Sequence, residues 1–301
     1  MENGLDAAKP FRHILFPTDF SKPVIRMVPY VMEIACRFNA SVTVLHAFNV
    51  VHDYNLASAA THEFERVEIP YTAGLEVLRS RRQNQLDEFA NAYFSGLHHA
   101  VRLEDGDPAT IIEQVAQKDH VDLIAMPTRG LGKFRRFLLG SVTEKVLHDV
   151  NCALLSDAHD SDPAGIATRG FRSIVCAVEL NAQAVSVLNT AASLAEAYRA
   201  TLCLVHTLES MSAQAESATM SIKEAWLADG GGTGVRAKVR VLDAGVPEGV
   251  RQAAIEEGAD LVVVGRGHES GTFSRVWSDL YAIICTSPCP VLSVSAIPSN
   301  Q

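Results

Sequence analysis

The chain has 301 residues, of which 48% are hydrophobic and 20% are charged, and its formal net charge at pH 7 is −9. These proportions are typical of a globular protein and exclude a chain that is disordered throughout. The length predicts about two domains of roughly 150 residues each. The acidic balance argues against binding to nucleic acids or membranes, because those anionic surfaces attract proteins with an excess of Lys and Arg.

Targeting and cysteine patterns predict a cytoplasmic protein without a metal site. No apolar run approaches the ~20 residues that span a bilayer, and residues 1–10 lack the basic and apolar regions of a secretion signal. We expect Cys36, Cys176 and Cys203 to pack in the core, since they lie on a predicted helix or in predicted buried strands. Cys285 and Cys289 are four residues apart, but no second Cys or His pair accompanies them, which argues against metal binding.

Several short segments occur twice along the chain. ILFPTDFS at 14–21 corresponds to IVCAVELN at 174–181, and VTVLHA at 42–47 corresponds to LCLVHT at 202–207, both displaced by 160 residues. Further on, GDPATII at 106–112 corresponds to GVPEGVR at 245–251, and VDLIAMP at 121–127 to ADLVVVG at 259–265, displaced by 139 and 138 residues. The repeats predict two homologous domains, residues 11–157 (the first half) and 170–297 (the second half), joined by a polar linker at 158–169.

Each repeat alternates short β-branched runs with helical periodicity, which predicts a parallel sheet covered by helices on both faces. In the first predicted helix, Ser21 is placed to cap the N-terminus, Pro23 suits the first turn, and Pro29 predicts a kink. One apolar stripe follows at helical spacing and should be buried. Its members are Val24, Met27, Val28, Val31, Ala35 and Phe38.

The first half carries about twenty extra residues between its second and third predicted strands, within 48–100. We expect a flexible loop over about 52–72 and a long helix over about 73–95, serving either as a lid or partner surface or as a connecting helix packed on the sheet. In the second half, residues 230–234 predict a loose turn.

A basic, glycine-bearing loop follows the fourth predicted strand of the first half. Gly130 and Gly132 can adopt backbone angles that other residues avoid, and four cations accompany them. These are Arg129, Lys133, Arg135 and Arg136. Gly140 and Ser141 then open a helix, whose free N–H groups and positive dipole end favour anions. A phosphate chain would suit this place, although the cations are also compatible with a solvated surface.

This pattern resembles the ATP-binding loop of the universal stress protein family, Gly-x2-Gly-x9-Gly-Ser/Thr. Gly130 matches the second glycine, Gly140-Ser141 follow after nine residues, and Pro127 stands where the first glycine would be. The resemblance covers nearly the whole first half, from ILFPTDFS to GSVTEKVL. It implies two tandem doubly wound, Rossmann-like α/β domains, each with strand order 3-2-1-4-5.

The resemblance also implies a nucleotide site in the first half. Pro17, Thr18 and Asp19 would line the adenine pocket, with Ala47 at its wall. Met126, Pro127 and Gly130 would approach the ribose and phosphates, beside Arg129. Gly140, Ser141 and Val142 would donate backbone N–H groups to the terminal phosphates.

Three of these positions have a second interpretation. Asp19 suits a turn after the first strand. Ser141 with Glu144 matches a helix capping box, which explains the serine without a ligand. Pro127 lacks an N–H donor and adds a ring. The fold tolerates a proline at a strand end, but the affinity for a nucleotide should be lower than with glycine.

The second half departs further from the motif. Gly265 is retained, but His268, Ser278 and Asp279 stand where glycines and serine would be, and Glu179 replaces the Asp after the first strand. Because the carboxylate of Asp279 repels phosphate, we expect no ATP site of the usual form there. This half should then be a structural or regulatory partner.

Catalytic motifs are absent from the sequence: it contains no P-loop, nucleophile elbow or HExxH. His46 and His206, at equivalent positions beside the second strand, are interpreted as structural groups. We expect no enzyme, and any ATP hydrolysis would be slow and incidental.

The sequence therefore favours a stress-response regulator that binds ATP with Mg²⁺, or a related adenine nucleotide. The alternative is an interaction and dimerisation module without a nucleotide. The last strand of each half, NCALLSD and CPVLSVSA, could pair with its counterpart, so we expect an internal pseudo-dimer and, in addition, a homodimer.

Overall fold

The computed structural model describes residues 10–49, 71–128, 139–157, 163–180, 184–208, 214–228, 235–266 and 273–295. The first half contains β1 (His13–Pro17), α1 (Lys22–Phe38), β2 (Ser41–Phe48), α2 (Tyr71–Phe94), β3 (His99–Asp105), α3 (Pro108–Lys118), β4 (Leu123–Ala125), α4 (Ser141–Asp149) and β5 (Ala153–Ser156). Helix α5 (Pro163–Arg169) follows. The second half contains β6 (Ser173–Ala177), α6 (Ala184–Tyr198), β7 (Thr201–Leu208), α7 (Gln214–Ala228), β8 (Ala237–Asp243), α8 (Val246–Glu256), β9 (Leu261–Arg266), α9 (Phe273–Thr286) and β10 (Val291–Ser295).

All ten of these strands form one sheet, in the order β3-β2-β1-β4-β5-β10-β9-β6-β7-β8. Within each half every neighbouring pair is parallel. The predicted α/β class is therefore confirmed, and each half follows the order 3-2-1-4-5. The arrangement differs in one detail: the two halves share a continuous mixed sheet, because β5 and β10 pair antiparallel.

The antiparallel pair joins the two halves as an internal pseudo-dimer. Leu155 lies opposite Leu292 in the β5–β10 register, and both side chains are buried. The two last strands thus pair with each other, as their sequences predicted. Each hydrogen-bonds an edge that would otherwise offer unpaired N–H and C=O groups to another chain.

Helix α1 confirms the predicted apolar stripe and corrects its predicted start. All six stripe residues are buried, and Tyr30 and Ile34 extend the stripe. Pro29 lies inside one continuous helix, and Pro23 occupies its first turn. Ser21 is the N-cap residue by backbone conformation, but its side chain makes no cap hydrogen bond, so the predicted side-chain cap is wrong. The Ser21 side chain is instead buried.

The extra segment of the first half and the linker contain helices. Helix α2 agrees with the predicted long helix, whereas most of the predicted loop at 52–72 and the turn at 230–234 lie outside the described residues. Within the predicted linker, residues 163–169 form α5, whose Ile166 is buried in the same cluster as α1.

The core consists of two apolar clusters, one on each face of the sheet. Ile14 and Phe16 belong to one cluster and Leu15 to the other, as expected for a strand buried on both faces. Each cluster contains residues of both halves, such as Ile174 with Ile14 and Val175 with Leu15. The halves therefore share their core.

The cysteines follow this burial with one exception. Cys176 and Cys203 are buried as predicted, and burial raises the pKa of Cys176 to about 12. Cys36 is exposed, so its predicted place in the core is wrong: it stands one residue beyond Ala35 and off the buried stripe of α1. Among the residues that the structure describes, no group of three or more His, Cys, Asp or Glu is arranged to hold a metal ion.

Arg266, at the end of β9, links the second half to the first. Its side chain is 1% exposed and donates from Nη1 to the carbonyl of Leu147 at 3.0 Å and from Nη2 to the carbonyl of Cys152. Burial lowers the pKa of this guanidinium to about 10, so it stays protonated at neutral pH. Nearby, His148 of α4 stacks on Trp277 of α9 with 4.9 Å between the ring centroids. Helix α4 is thus held at its C-terminal end by the other half.

Candidate functional site

The carboxyl ends of β2, β1 and β4 lie side by side, because these strands are neighbours in the sheet. Three of the predicted site segments therefore meet at one edge: Pro17, Thr18 and Asp19 after β1, Ala47 near the end of β2, and Met126 and Pro127 after β4. Arg129 and Gly130, and the loop cations Lys133, Arg135 and Arg136, lie outside the described residues. Ligands of open parallel sheets bind at this kind of edge.

The chain turns tightly after β1. The N–H of Thr18 donates to the carbonyl of Leu45 at 2.8 Å, which prolongs the pairing with β2. Asp19 Oδ1 then accepts the N–H of Ser21 at 2.9 Å, and the hydroxyl oxygen of Thr18 accepts the N–H of Phe20 at 3.0 Å. Phe20 has a left-handed φ of 60°. Asp19 is thus a turn former, as its second interpretation held.

His46 fixes the same turn from β2. Its Nδ1 lies 2.7 Å from the carbonyl oxygen of Thr18, which can only accept, so Nδ1 carries the proton. The ring of Phe20 covers the imidazole, with 4.8 Å between centroids. In the second half, His206 Nδ1 lies 2.8 Å from the carbonyl of Val178. Both histidines are structural groups, as the sequence predicted.

Two hydrogen bonds join the end of β4 to the start of α4. The Thr143 hydroxyl donates to the carbonyl of Pro127 at 3.0 Å, and the N–H of Gly140 donates to the carbonyl of Thr128 at 2.8 Å. Residues on either side of the 129–138 segment are therefore clamped together. Pro127 is buried at the strand end, so the fold accommodates it, and Met126 still donates its N–H to Leu155 at 3.0 Å.

The N-terminus of α4 faces this edge. Gly140 is its N-cap residue, with an extended backbone at φ −68° and ψ 145°, and its carbonyl accepts the N–H of Glu144 at 2.8 Å. Ser141 is consequently the first helical residue rather than the cap, so the capping-box interpretation is wrong. Helix geometry leaves the N–H groups of Ser141, Val142 and Thr143 without intrahelical acceptors.

One predicted donor is already used. The N–H of Gly140 is bound to Thr128, so of the three groups expected to face a phosphate only those of Ser141 and Val142 remain. Ser141 is exposed and Val142 is half-buried. A helix N-terminus with two such donors, at a positive dipole end, favours an anion.

The clamp and Phe20 escaped the sequence analysis. Thr128 and Thr143 carry no motif signal, since their hydrogen bonds join residues about fifteen positions apart across a loop. Phe20 lies between Asp19 and Ser21 in ILFPTDFS, and its left-handed backbone, which places its ring over His46, carries no signal in the sequence.

At the corresponding edge of the second half, helix α9 begins at Phe273. Ser278 and Asp279, the counterparts of Gly140 and Ser141, therefore lie within the helix. Their N–H groups belong to intrahelical hydrogen bonds and are not available to a phosphate.

Each half has the same strand order and an equivalent edge where its strands end, so the chain consists of two doubly wound domains in tandem. A sequence model of the universal stress protein family matches residues 10–156 and again residues 170–295. The chain belongs to the universal stress protein family and carries two copies of its domain.

Individual relatives agree with this assignment. A universal stress protein of Methanocaldococcus jannaschii is 28% identical over 145 residues, which are 48% of this chain and 81% of that protein. One from Thermus aquaticus is 29% identical over 149 residues, covering 48% and 97% of the two chains. The crystal structure of a universal stress protein from Archaeoglobus fulgidus superimposes with a TM-score of 0.71 at 20% identity, covering 94% of this chain and 96% of that one. This last likeness extends over both halves and concerns the fold.

No helix in the described parts of the chain is long and apolar enough to cross a membrane.

Proposed function

We propose that the first half binds ATP, with Mg²⁺, or a related adenine nucleotide, and that the protein is a cytoplasmic stress-response regulator rather than an enzyme. The observation that carries this proposal is the start of α4, where the N–H groups of Ser141 and Val142 face the strand edge without intrahelical acceptors. The loop cations Arg129, Lys133, Arg135 and Arg136 precede it in sequence and complement a phosphate chain.

The proposed pose runs along the edge of the sheet. The phosphates lie at Gly140, Ser141 and Val142, and the ribose lies beside Met126, Pro127 and Gly130. The base lies toward the ends of β1 and β2, near Asp19 and Ala47. The clamp between Thr143 and Pro127 supports the pose, because it holds the end of β4 against the start of α4 at a fixed separation. Binding of a ligand that bridges the end of β4 and the start of α4 then costs little entropy, because the backbone there is already ordered.

The nucleotide acts in this proposal as a conformational ligand. A ligand that binds one conformation more tightly shifts the population toward it without being consumed. Helix α4 is the element that would respond, since its N-terminus meets the phosphates and its C-terminus meets Arg266 and Trp277 of the second half. The second half then serves as the regulatory partner.

The direct test is nucleotide content and affinity. We expect protein denatured after purification to release about one adenine nucleotide per chain, and the emptied protein to bind ATP again. The double variant Gly140→Leu/Ser141→Leu should abolish that binding, because the side chains crowd the two N–H donors. The control Ser278→Leu adds one leucine at an exposed position of α9, the counterpart of Gly140, and should bind ATP normally. Unchanged affinity in the Gly140/Ser141 variant would reject the site.

The alternative function, an interaction module without a nucleotide, relied on the free edges of the last strands. Those two strands pair with each other inside the chain, so they offer no edge to a partner. The outer strands of the sheet are β3 and β8. We propose that homodimerisation, if it uses a sheet edge, uses one of these, and light scattering over a range of concentrations tests it. A strict monomer at high concentration would contradict the homodimer.

A further inference from the structure

The second half contains a cavity of about 110 Å³ at the edge of the sheet where β6, β7 and β9 end. It lies at the counterpart of the first-half site, because its lining residues Thr207 and Gly265 correspond by the repeat to Ala47 and Pro127. The nucleotide proposed for the first half does not account for this cavity.

The inner wall of the cavity is apolar and well packed. Val178, Val205, Val250, Val264 and Leu280 line it, and each is at most 4% exposed. They come from four different elements and the end of a strand, so the wall is held from several directions. The cavity therefore suits the apolar body of a small molecule.

Two neighbouring polar residues at the end of β7, His206 and Thr207, also line the cavity. Nδ1 of His206 donates to the carbonyl of Val178 at 2.8 Å, so in the neutral ring Nε2 is an acceptor. None of the residues that the structure describes hydrogen-bonds to Nε2 of His206 or to the hydroxyl of Thr207. A guest that carries one hydroxyl group can donate to Nε2 and accept from Thr207.

The imidazole is covered in the first half and accessible in the second. His46 is 7% exposed, and the ring of Phe20 lies over it with 4.8 Å between the centroids. The counterpart of Phe20 is Leu180, which has no ring and is 45% exposed, and His206 is only half-buried. The difference leaves the imidazole of His206 open to a small molecule.

The rest of the lining favours a neutral guest. Glu179 and Asp279 also line the cavity, but each already interacts with another group, so neither carboxylate is assigned to the guest. Beside the lining residues Glu179 and Ala184, Leu180 and Val185 are 45% and 39% exposed and add apolar surface. An ion would lose its hydration at this apolar wall without a charged partner assigned to it.

We propose that this cavity binds a small neutral alcohol, with its carbon chain against the valines and its hydroxyl group bonded to His206 and Thr207. The second half then has a ligand of its own in addition to its role as a partner of the first half. A nucleotide is excluded by size, since pockets for drug-sized ligands measure roughly 300–1,000 Å³. An apolar cavity of roughly 150 Å³ accepts one benzene molecule, so a short alkyl chain is the appropriate body.

The test uses the full chain and three four-carbon probes: 1-butanol, its isomer methyl propyl ether, which lacks the O–H donor, and butanoate. Affinities are measured by ligand-observed NMR titration. We expect the alcohol to bind about fivefold more tightly than the ether, from its additional hydrogen bond, and butanoate not to bind. Equal affinities of the two isomers, no binding of the alcohol, or butanoate binding as tight as that of the alcohol would overturn the proposal.

Variants locate the hydroxyl group of the guest. His206→Asn retains an amide N–H that can replace Nδ1–H toward the carbonyl of Val178 but removes the Nε2 acceptor, and should lower the affinity for 1-butanol about fivefold. Thr207→Val removes the second partner and should lower the same affinity. The matched control is Thr201→Val, at the exposed opposite end of β7, which should bind 1-butanol normally. An alcohol preference that survives His206→Asn/Thr207→Val would refute the site.

Two further measurements locate the carbon chain and the imidazole contact. Ala184→Leu enlarges a buried lining side chain and should abolish binding of both isomers, with circular dichroism confirming the fold. In the unaltered protein, 1-butanol should shift the ¹⁵N signal of Nε2 of His206. An Nε2 signal that stays unchanged at saturating 1-butanol would contradict the proposal without requiring any variant to fold.

These results are independent of the nucleotide proposal. ATP binding is read from the first half and is unaffected by loss of the alcohol. Displacement of 1-butanol by one equivalent of ATP would contradict the present inference, because it would put both ligands in one place.

Discussion

Helix α4 begins at Ser141, and its counterpart α9 begins at Phe273, six residues earlier in the frame of the repeat. At the same edge of the sheet, the first half therefore presents N–H groups at the start of a helix, and the second half presents the side of a helix whose N–H groups are already bonded. The neighbouring segments differ in the same sense: residues 129–134 contain Arg129 and Lys133, whereas their counterparts 267–272 contain no Lys or Arg.

The comparison shows how one topology can present different groups at the same edge of the sheet. Strand order, the histidine at the end of the second strand, and its bond to the preceding turn are common to both halves. The difference lies in where one helix begins and which charges surround it. A change of helix start requires no change in the sheet, so the two sites can diverge while the shared core is kept.

The largest effect on stability is expected from substitution of Arg266. Its counterpart in the first half is Thr128, so this buried arginine distinguishes the two halves. Arg266→Ala leaves the carbonyls of Leu147 and Cys152 buried without their donors. We expect the free energy of unfolding to fall by about 3 kcal/mol, since hydrogen bonds to charged groups contribute roughly 1.5–3 kcal/mol. Urea denaturation measures the change.

The control for Arg266 is Arg251→Ala on α8. Arg251 is largely exposed and lies 3.6 Å from Glu248, an arrangement worth at most about 0.5 kcal/mol. If both variants lost equal stability, the buried guanidinium would not be the link between the halves.

A smaller effect is expected at Asp107, the N-cap of α3, whereas the corresponding helix α8 begins at Gly245 without a side-chain cap. Asp107 accepts the N–H of Thr110 at 3.1 Å, and Lys145 of α4 lies 3.3 Å away. Asp107→Ala should lower the free energy of unfolding by about 1 kcal/mol at pH 7.

The pH dependence of the Asp107 effect follows from its pKa. The hydrogen bonds from the N–H and hydroxyl of Thr110, and then Lys145, lower the pKa of this carboxyl below its usual value of 3.8. A lowered pKa stabilises the folded state above the unfolded value and less as the pH falls through the folded value. The difference between wild type and Asp107→Ala, followed by denaturation at several pH values, should therefore shrink below about pH 3.8. A difference that grew on acidification would contradict this assignment.

No effect on ATP binding is expected when the Gly-Ser pair of the motif is introduced into the second half. Ser278→Gly/Asp279→Ser reproduces the Gly140-Ser141 pair, but both positions lie inside α9, whose N–H groups are bonded. Tested together with Gly140→Leu/Ser141→Leu, this variant should bind no ATP by calorimetry. Recovery of binding would show that residue type, and not the start of the helix, separates the two halves.

Much of the fold is predictable from the sequence because it depends on periodicity. The stripe from Val24 to Phe38 specifies the buried face of α1, and the repeated apolar runs predict the sheet and the pairing of the last strands. The predictions that were wrong involve single positions. Ser141 has the same residue type whether it is the cap or the first helical residue, and Cys36 is one position away from a buried neighbour.

The candidate site is less predictable, because its contacts join distant residues. The partner of Arg266 lies 119 positions earlier in the chain, and nothing in a lone arginine after an apolar strand indicates it. The start of α9 was hidden because Ser278-Asp279 aligns with Gly140-Ser141, which suggests a helix start where the chain is already helical. The residue types alone do not show where the preceding loop ends and the helix begins.

The central claim is that the first half accepts a nucleotide and the second half does not, and the stoichiometry of ATP binding tests it most directly. Calorimetric titration of the emptied full chain should give one ATP per chain, lost in Gly140→Leu/Ser141→Leu and kept in Ser278→Leu. Two equivalents per chain would show that the second half also accepts a nucleotide, and none would show that the first-half site does not bind ATP; either result contradicts the account.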